Sequence, residues 1–285
     1  MTRRPRNTPD RGRQNRPSSP ARPRPDEAAA RHRPAGRQRG AAPAPGRLWL
    51  YGQHAVVAAL RNPDRTCHRL LATEAALPLV EEAARARGLA VETVSPERLA
   101  QILPPDTPHQ GLALGVEPLP ECSPDELGRD PAAPSLVLAL DQVNDPRNLG
   151  AILRTAAALG VEGVILPQRR SAELGGACAK AASGALDLLP IVEVVNLART
   201  LGELKERGYW LVGLDAAGPQ RLEELDLPSR VVLVLGSEGE GLRRLVADAC
   251  DFLARLEIDP RMESLNVSVA AGIALYVLAR RRAAS

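Results

Sequence analysis

Gly236, Ser237, Glu238, Gly239, Glu240 and Gly241 follow directly on the apolar run VVLVL, residues 231–235. A glycine loop after a buried strand usually closes its bare backbone N–H groups on a phosphate. Here Glu238 and Glu240 set negative charge against any phosphate, and no lysine stands where a phosphate loop needs one. The order G-x-x-G-x-G also differs from the G-x-G-x-x-G of a dinucleotide site. The loop therefore suits a neutral or cationic ligand. Gly236, at the strand's end, lets a ligand approach the main chain closely. Glu238 is able to accept hydrogen bonds, balance an arginine or hold a cation.

Two other polar segments belong with it, DQVNDPRN (141–148) and EIDPRMESLN (257–266). In the first, Asp145 suits a helix N-cap and Pro146 the first helical position. Leu149, Ile152, Leu153 and Ala156 then form the helix's apolar stripe. Asn148 falls in its first turn, and Arg154 lies about 9 Å further along at ~1.5 Å per residue. An ordinary first-turn polar residue and a solvated helix arginine account for these two equally well. In the second segment Ser264 is a natural N-cap, Asn266 a first-turn residue, and Leu265, Val269, Ile273 and Tyr276 recur at helix spacing. Arg280, Arg281 and Arg282 suit the end of that helix through its dipole alone.

The elements that must position these residues are legible as an alternation. SLVLALD, EGVILP, LLPIVEVV, YWLVGLD, RVVLVLG and DFLARLEI read as strands. Between them come helices from Pro146, around LGGACAKAAS, over NLARTLGELKERG, after Gly241, and from Ser264 to about Arg281. Near-continuous apolar strands separated by amphipathic helices predict an α/β fold, a parallel sheet covered on both faces, over residues 135–285. Ligands in such sheets bind outside the carboxyl ends of the strands, and that rim collects all three polar segments. Residues 47–119 read as a smaller α/β unit. LYGQHAVVAALRN holds a short helix entered through Gly52, HRLLAT and LAVETVS are strands, LPLVEEAARAR and PERLAQIL helices, and HQGLALGVEPL a closing strand. PECSPDELGRDPAAP, residues 120–134, reads as an interdomain linker.

The charge is split along the chain. Residues 1–46 hold twelve arginines against three acids, a net of +9, and almost no large apolar side chain. The remaining 239 residues carry 25 basic against 31 acidic groups, a net of −6. Residues 1–46 bury too little surface to offset their chain entropy and are expected to be disordered. Their arginines suit a polyanion, bound through counterion release, and nucleic acid before other partners. No apolar core follows the basic residues, as a secretory signal requires, and no stretch reaches a membrane-spanning length. Cys67, Cys122, Cys178 and Cys250 stand singly, at neither zinc-ligand nor disulfide-framework spacing. A cytoplasmic protein away from membranes is expected.

Taken in order, DPRNLGAILRTAAALGV, LVLGSEGEGLRRL and SLNVSVAAGIALY resemble the three motifs of the SpoU (TrmH-type) RNA ribose 2'-O-methyltransferases, most closely the RlmB-like enzymes of 23S ribosomal RNA. RSAELGGACAKAASGA and NLART between them are also similar. YGQHAV and PHQGLALGV resemble the ends of the RNA-binding domain these enzymes carry. The resemblance runs from about residue 47 to 283. It implies a SPOUT-type methyltransferase domain closed by a C-terminal trefoil knot, working as a homodimer on RNA, with S-adenosylmethionine (SAM) as cofactor and no metal. Carried over, Gly236, Leu256 and Leu265 would contact the cofactor, largely through the main chain. Arg154 would activate the ribose 2'-hydroxyl or stabilise its anion, with Asn148, Glu238, Ser264 and Asn266 around it. The acceptor would be a guanosine of 23S rRNA, free or in a ribosome assembly intermediate. A tRNA ribose methyltransferase of the same family and a non-catalytic RNA-binding module are the rival readings. One departure stands out. Where the family usually has I-P-M-x-G-x-V-x-S-L-N this chain reads LEIDPRMESLN, with Glu257 for the usual proline and Pro260 where glycine is common.

Overall fold

The computed structural model describes residues 48–282; the tail expected to be disordered, residues 1–46, lies outside them. A four-stranded sheet comes first, from β1 (Leu48–Tyr51), β2 (Cys67–Ala72), β3 (Val91–Thr93) and β4 (Leu112–Val116), in the order β1-β4-β2-β3. β4 lies antiparallel to both β1 and β2, and β3 lies parallel to β2. Helices α1 (Gln53–Arg61), α2 (Glu81–Arg87) and α3 (Pro96–Ile102) complete this unit. Helix α1 is entered through Gly52 as expected, and Leu48–Tyr51 before it form a strand. Gly52, at φ 86°, is the turn that separates them.

The larger sheet has the strand order β7-β6-β5-β10-β8-β11-β9, and all of its pairings are parallel. Its strands are β5 (Ser135–Leu140), β6 (Gly163–Pro167), β7 (Ile191–Val194), β8 (Trp210–Leu214), β9 (Gln220–Arg221), β10 (Arg230–Leu235) and β11 (Phe252–Arg255). β5 and β10 are buried at every position, which is why SLVLAL and RVVLVL lack polar alternation. Helices α4 (Pro146–Ala158), α5 (Gly176–Ala182), α6 (Leu197–Glu206), α7 (Arg244–Ala249) and α8 (Val267–Arg282) cover it. β5 is flanked by β6 on one side and by β10 on the other, so the chain reverses its direction of winding there. A parallel sheet opens its ligand crevice at that switch point.

The segment read as a linker is anchored along its second half. Leu127 is buried against Val137 and Ile165. Arg230, at the start of β10, donates to the carbonyls of Asp130 and Gly128 at 2.7 and 3.1 Å and stacks 4.3 Å over the Tyr209 ring. The smaller sheet is docked as well. One apolar cluster runs from Leu50, Val56 and Leu70 into Leu136, Leu138 and Leu140. Asp187 accepts from Arg65 at 2.8 Å, both side chains 1% exposed, and also from Asn62 at 3.2 Å. Lys180 Nζ donates to Gln110 Oε1.

Close helix packing places the crevice. Gly150 in α4 sits on α5 so tightly that a Cβ there would lie 2.5 Å from Ala181 Cβ and from the Cys178 carbonyl oxygen. Alanine has the better helix propensity by about 1 kcal/mol, but main-chain atoms cannot yield as a side chain does. Gly150→Ala is expected to lower stability by about 2 kcal/mol, read as a lower urea midpoint. A raised midpoint would show the propensity gain winning.

The last helix differs from its expectation. Val267, Ala271, Ala274, Leu275 and Leu278 are its buried residues, and it begins at Val267. The expected stripe faces outward instead, with Val269, Ile273 and Tyr276 at 50, 42 and 57% exposure. The helix carries apolar residues all round, so its periodicity alone could not say which face meets the sheet.

Candidate active site in the crevice between two parallel strands

Asp145 and Pro146 start α4 as expected, the Asp145 carboxylate accepting from Arg147 N at 2.8 Å. Leu149, Ile152, Leu153 and Ala156 are its buried stripe. That burial turns Asn148 to the rim above β5, where it meets the glycine loop after β10. Asn148 Nδ2 donates to Glu238 Oε1 at 3.0 Å. Asn266 Nδ2 donates to the same oxygen at 2.6 Å and lies 3.2 Å from Asn148 Oδ1. Val267 N, the first amide of α8, adds a third donor at 3.3 Å. Glu238 is therefore held by amides as an acceptor at a helix N-terminus, where negative charge is favoured by the dipole. Phosphate would compete for that position and be repelled from it.

Asn266, and not Ser264, caps α8. Asn266 Oδ1 accepts from Ser268 N at 3.0 Å and from Ser268 Oγ at 2.6 Å. Ser264 lies three residues before the helix, exposed and without a hydrogen bond among the described residues. Arg154 is likewise exposed and unpaired among them. The structure thus brings Asn148, Glu238 and Asn266 together and leaves Arg154 and Ser264 outside their cluster.

Gly236 is required by the packing of the loop itself. A Cβ there would lie 2.1 Å from Gly241 C and 2.4 Å from Leu242 N. The loop folds back on its own stem, with Ser237 and Gly241 exchanging both main-chain hydrogen bonds at 3.1 Å. Gly239 and Gly241 take φ 85° and 67°, which only glycine adopts freely. The close approach at Gly236 is therefore made by the loop itself. Gly236 is a buried residue, Leu256 and Leu265 are half-buried ones, and the main chain of none of the three forms a hydrogen bond among the described residues. Buried main-chain groups left unpaired are rare and need a partner.

A brace that was not anticipated holds the loop. Asp141, fully buried at the end of β5, accepts from Arg243 Nε at 2.8 Å, from Arg243 Nη2 at 2.6 Å and from Arg243 N at 3.1 Å. The signal was present, since an acid ending SLVLALD inside an apolar sheet needs a paired cation. Which of the following arginines pairs with it was not readable. Arg243→Ala leaves that carboxylate short of its partner and is expected to cost about 3 kcal/mol. Asp141→Asn, which frees only the half-exposed Arg243, should cost less. Urea midpoints in the opposite order would refute this reading. At the other end of the rim, Glu257, standing for the family's proline, pairs with Arg221 of β9 at 2.8 Å.

Known proteins place this arrangement. Residues 135–276 match the SpoU rRNA Methylase family, and residues 49–122 match the family described as RNA 2'-O ribose methyltransferase substrate binding. The 23S rRNA (guanosine-2'-O-)-methyltransferase RlmB of Pseudomonas aeruginosa is 42% identical over 238 residues, 82% of this chain and 96% of that protein. The chain belongs to the SpoU family. It is a SAM-dependent RNA 2'-O-ribose methyltransferase. RlmB of Xylella fastidiosa is similar at 41% identity over 82% of this chain and 96% of its own length. Among solved structures, the AdoMet-bound rRNA methyltransferase from Sinorhizobium meliloti superposes with a TM-score of 0.70 at 27% identity, covering 83% of this chain and 88% of that one. The SpoU methyltransferase AviRb from Streptomyces viridochromogenes shares the fold, with a TM-score of 0.72 at 24% identity over 84% of this chain and 91% of its own. No helix among the described residues of this SpoU enzyme is long and apolar enough to cross a membrane.

Proposed function

We propose that this SpoU enzyme methylates the ribose 2'-hydroxyl of a guanosine in 23S ribosomal RNA, free or within an assembly intermediate, in the cytoplasm. The observation that carries the reading is the Asn148–Glu238–Asn266 cluster in the crevice between β5 and β10, beside the unpaired main chain of Gly236, Leu256 and Leu265. The two RlmB relatives, matched over nearly their whole length, support the choice of rRNA.

Gly236, Leu256 and Leu265 would hold the cofactor's adenosyl part through the main chain. SAM, when bound, supplies a methyl group on a cationic sulfonium. The chain's own residues do the rest. Glu238, fixed by three donors, keeps phosphate off the glycine loop and beside a cation is electrostatically favourable. Ser264, exposed and unpaired, is available to the ribose. Arg154 stabilises the 2'-oxygen as its proton passes to solvent water, because a guanidinium stays protonated and donates a fork of hydrogen bonds. Holding acceptor and donor in line contributes most of such a transfer, through orientation rather than through a strong base.

The exposed face of α8 supports a homodimer. Val269, Ile273 and Tyr276 lie at i, i+4 and i+7, one continuous apolar stripe on the surface. The same stripe on a second copy is its natural partner under two-fold symmetry. Thr155, next to Arg154, packs within 3.6 Å of the Cβ position of Gly272 on this helix, so Arg154 stands close to the proposed interface. We also assign the path from β11 through residues 256–266 into α8 to the trefoil closure, and residues 47–119 to RNA capture.

The test is methyl transfer from labelled SAM to total RNA of cells lacking this gene, with ribose methylation mapped afterwards. Label on one 23S guanosine is the expected result. Label on tRNA would keep the reaction and replace the substrate, and no label on RNA would overturn the proposal.

A further inference from the structure

Most described arginines are engaged: Arg69 with Glu92, Arg199 with Glu203, Arg221 with Glu257, Arg243 with Asp141, Arg261 with Asp259. The side chains of Arg147, Arg169 and Arg170 are exposed and have no hydrogen bond or ion pair among the described residues. Arg61, Arg244 and Arg280 share that condition but lie singly on separate elements, and Arg154 shares it seven residues beyond Arg147 on α4. Arg147, Arg169 and Arg170 do not lie singly.

Arg147 lies in the first turn of α4, directly before Asn148. Arg169 and Arg170 stand in the loop after β6, the strand paired with β5. The two loops are tied together, Ala172 N donating to Val143 O at 2.9 Å. The β6 loop is held at its base, where Gln168 N donates to Val194 O at 2.9 Å and Ser171 Oγ to Pro167 O at 2.8 Å. Arg170 takes φ 61°, a left-handed conformation that costs a non-glycine residue about 1 kcal/mol or more. The acids nearby do not neutralise the group. Asp145 accepts from the first turn of α4, and Asp141 is buried under Arg243. Glu173, two residues beyond Ser171, is exposed and forms no ion pair among the described residues.

We propose that Arg147, Arg169 and Arg170 form a phosphate-gripping strip along the rim beside Asn148, which holds the RNA backbone flanking the nucleotide to be methylated. The inference rests on the ribose-methyltransferase reading above and adds where the substrate strand lies. Arginine forks recognise phosphate in two-point geometry, and phosphate contacts fix the register of a bound nucleic acid without reading its sequence. The strip lies on the folded part of a chain whose folded part is acidic overall, so its position and not its total charge selects the strand's path. Glu238, nearby, keeps the backbone off the cofactor loop.

The experiment compares wild type, the triple variant Arg147→Gln/Arg169→Gln/Arg170→Gln and the triple lysine variant, all in the full chain. The probe is an unmodified in-vitro transcript of 23S rRNA, and binding is measured across a potassium chloride series beside thermal melting and SAM affinity. With about 0.7 ions released per phosphate contact on single-stranded RNA, the glutamine triple should lose about 2 from its log–log salt slope. Its KM for RNA should rise about tenfold at physiological salt, with kcat, SAM affinity and melting temperature unchanged. The lysine triple should recover most of the slope. An unchanged slope and KM in the glutamine triple would overturn the strip while wild-type methylation leaves the function standing. A reduced slope with no methylation by wild type would uphold the strip and overturn the function.

Discussion

Arg154→Ala is expected to transfer methyl groups roughly 10³-fold more slowly than wild type while binding SAM within about twofold of it. The side chain is exposed and unpaired among the described residues, on the face of α4 opposite its buried stripe. Its removal therefore leaves no cavity and no orphaned partner, and the melting temperature should stay within about 1 °C of wild type, as for other surface substitutions. Any loss of rate is then a loss of chemistry or of acceptor positioning. Arg154→Lys separates the two roles open to an arginine here. If the planar fork holds a phosphate or the developing alkoxide, lysine keeps the charge, loses the two-point geometry, and should restore part of the rate. If Arg154 must act as a base, lysine, which loses its proton far more readily, should do so better at high pH. A kcat for Arg154→Ala within about threefold of wild type would remove the residue from the reaction.

The second large effect is expected of Gly236→Ala, with SAM affinity falling at least about 100-fold, the same order as losing several well-placed contacts. A single methyl group causes it. The added carbon would stand 2.1 Å from the Gly241 carbonyl carbon and 2.4 Å from Leu242 N. These are main-chain atoms of a loop pinned below by the Asp141–Arg243 brace. The loop must open, which moves Glu238 away from Asn148, Asn266 and Val267 together. Overpacking of this kind costs about 1–3 kcal/mol in stability, so the variant should still fold, with a melting temperature lowered by several degrees. Isothermal titration with SAM decides it. Affinity near the wild-type value would mean the loop relaxes without disturbing the site. Gly239→Ala makes a useful contrast, because nothing lies near its Cβ position and only its φ of 85° resists substitution.

Several features were legible from residue order because they follow from local chemistry. SLVLAL and RVVLVL, apolar at every position after the first, read as strands buried on both faces, and both are. Asp145-Pro146 could only open a helix, and α4 begins there with the expected stripe inward. The rule that ligands sit beyond the carboxyl ends of parallel strands then gathered DQVNDPRN, GSEGEG and EIDPRMESLN at one rim. The hydrogen bonds among Asn148, Glu238 and Asn266 join one residue from each.

Other features could not be read one segment at a time. The residues of α8 are apolar on every side, so its periodicity held no information about orientation. Which face is buried depends on α4 and the sheet it packs against, and the outcome left Val269, Ile273 and Tyr276 outside. The cap passed from Ser264 to Asn266 because Glu238, 28 residues earlier in the chain, takes the first amide of α8 and fixes where that helix starts. Gly236 is the clearest case. The sequence by itself determined that a glycine loop with two acids follows a buried strand and that such a loop rejects phosphate. Only the tertiary structure decided that the glycine is required by the loop's own returning backbone, because steric contact across five residues depends on the path between them and not on their order.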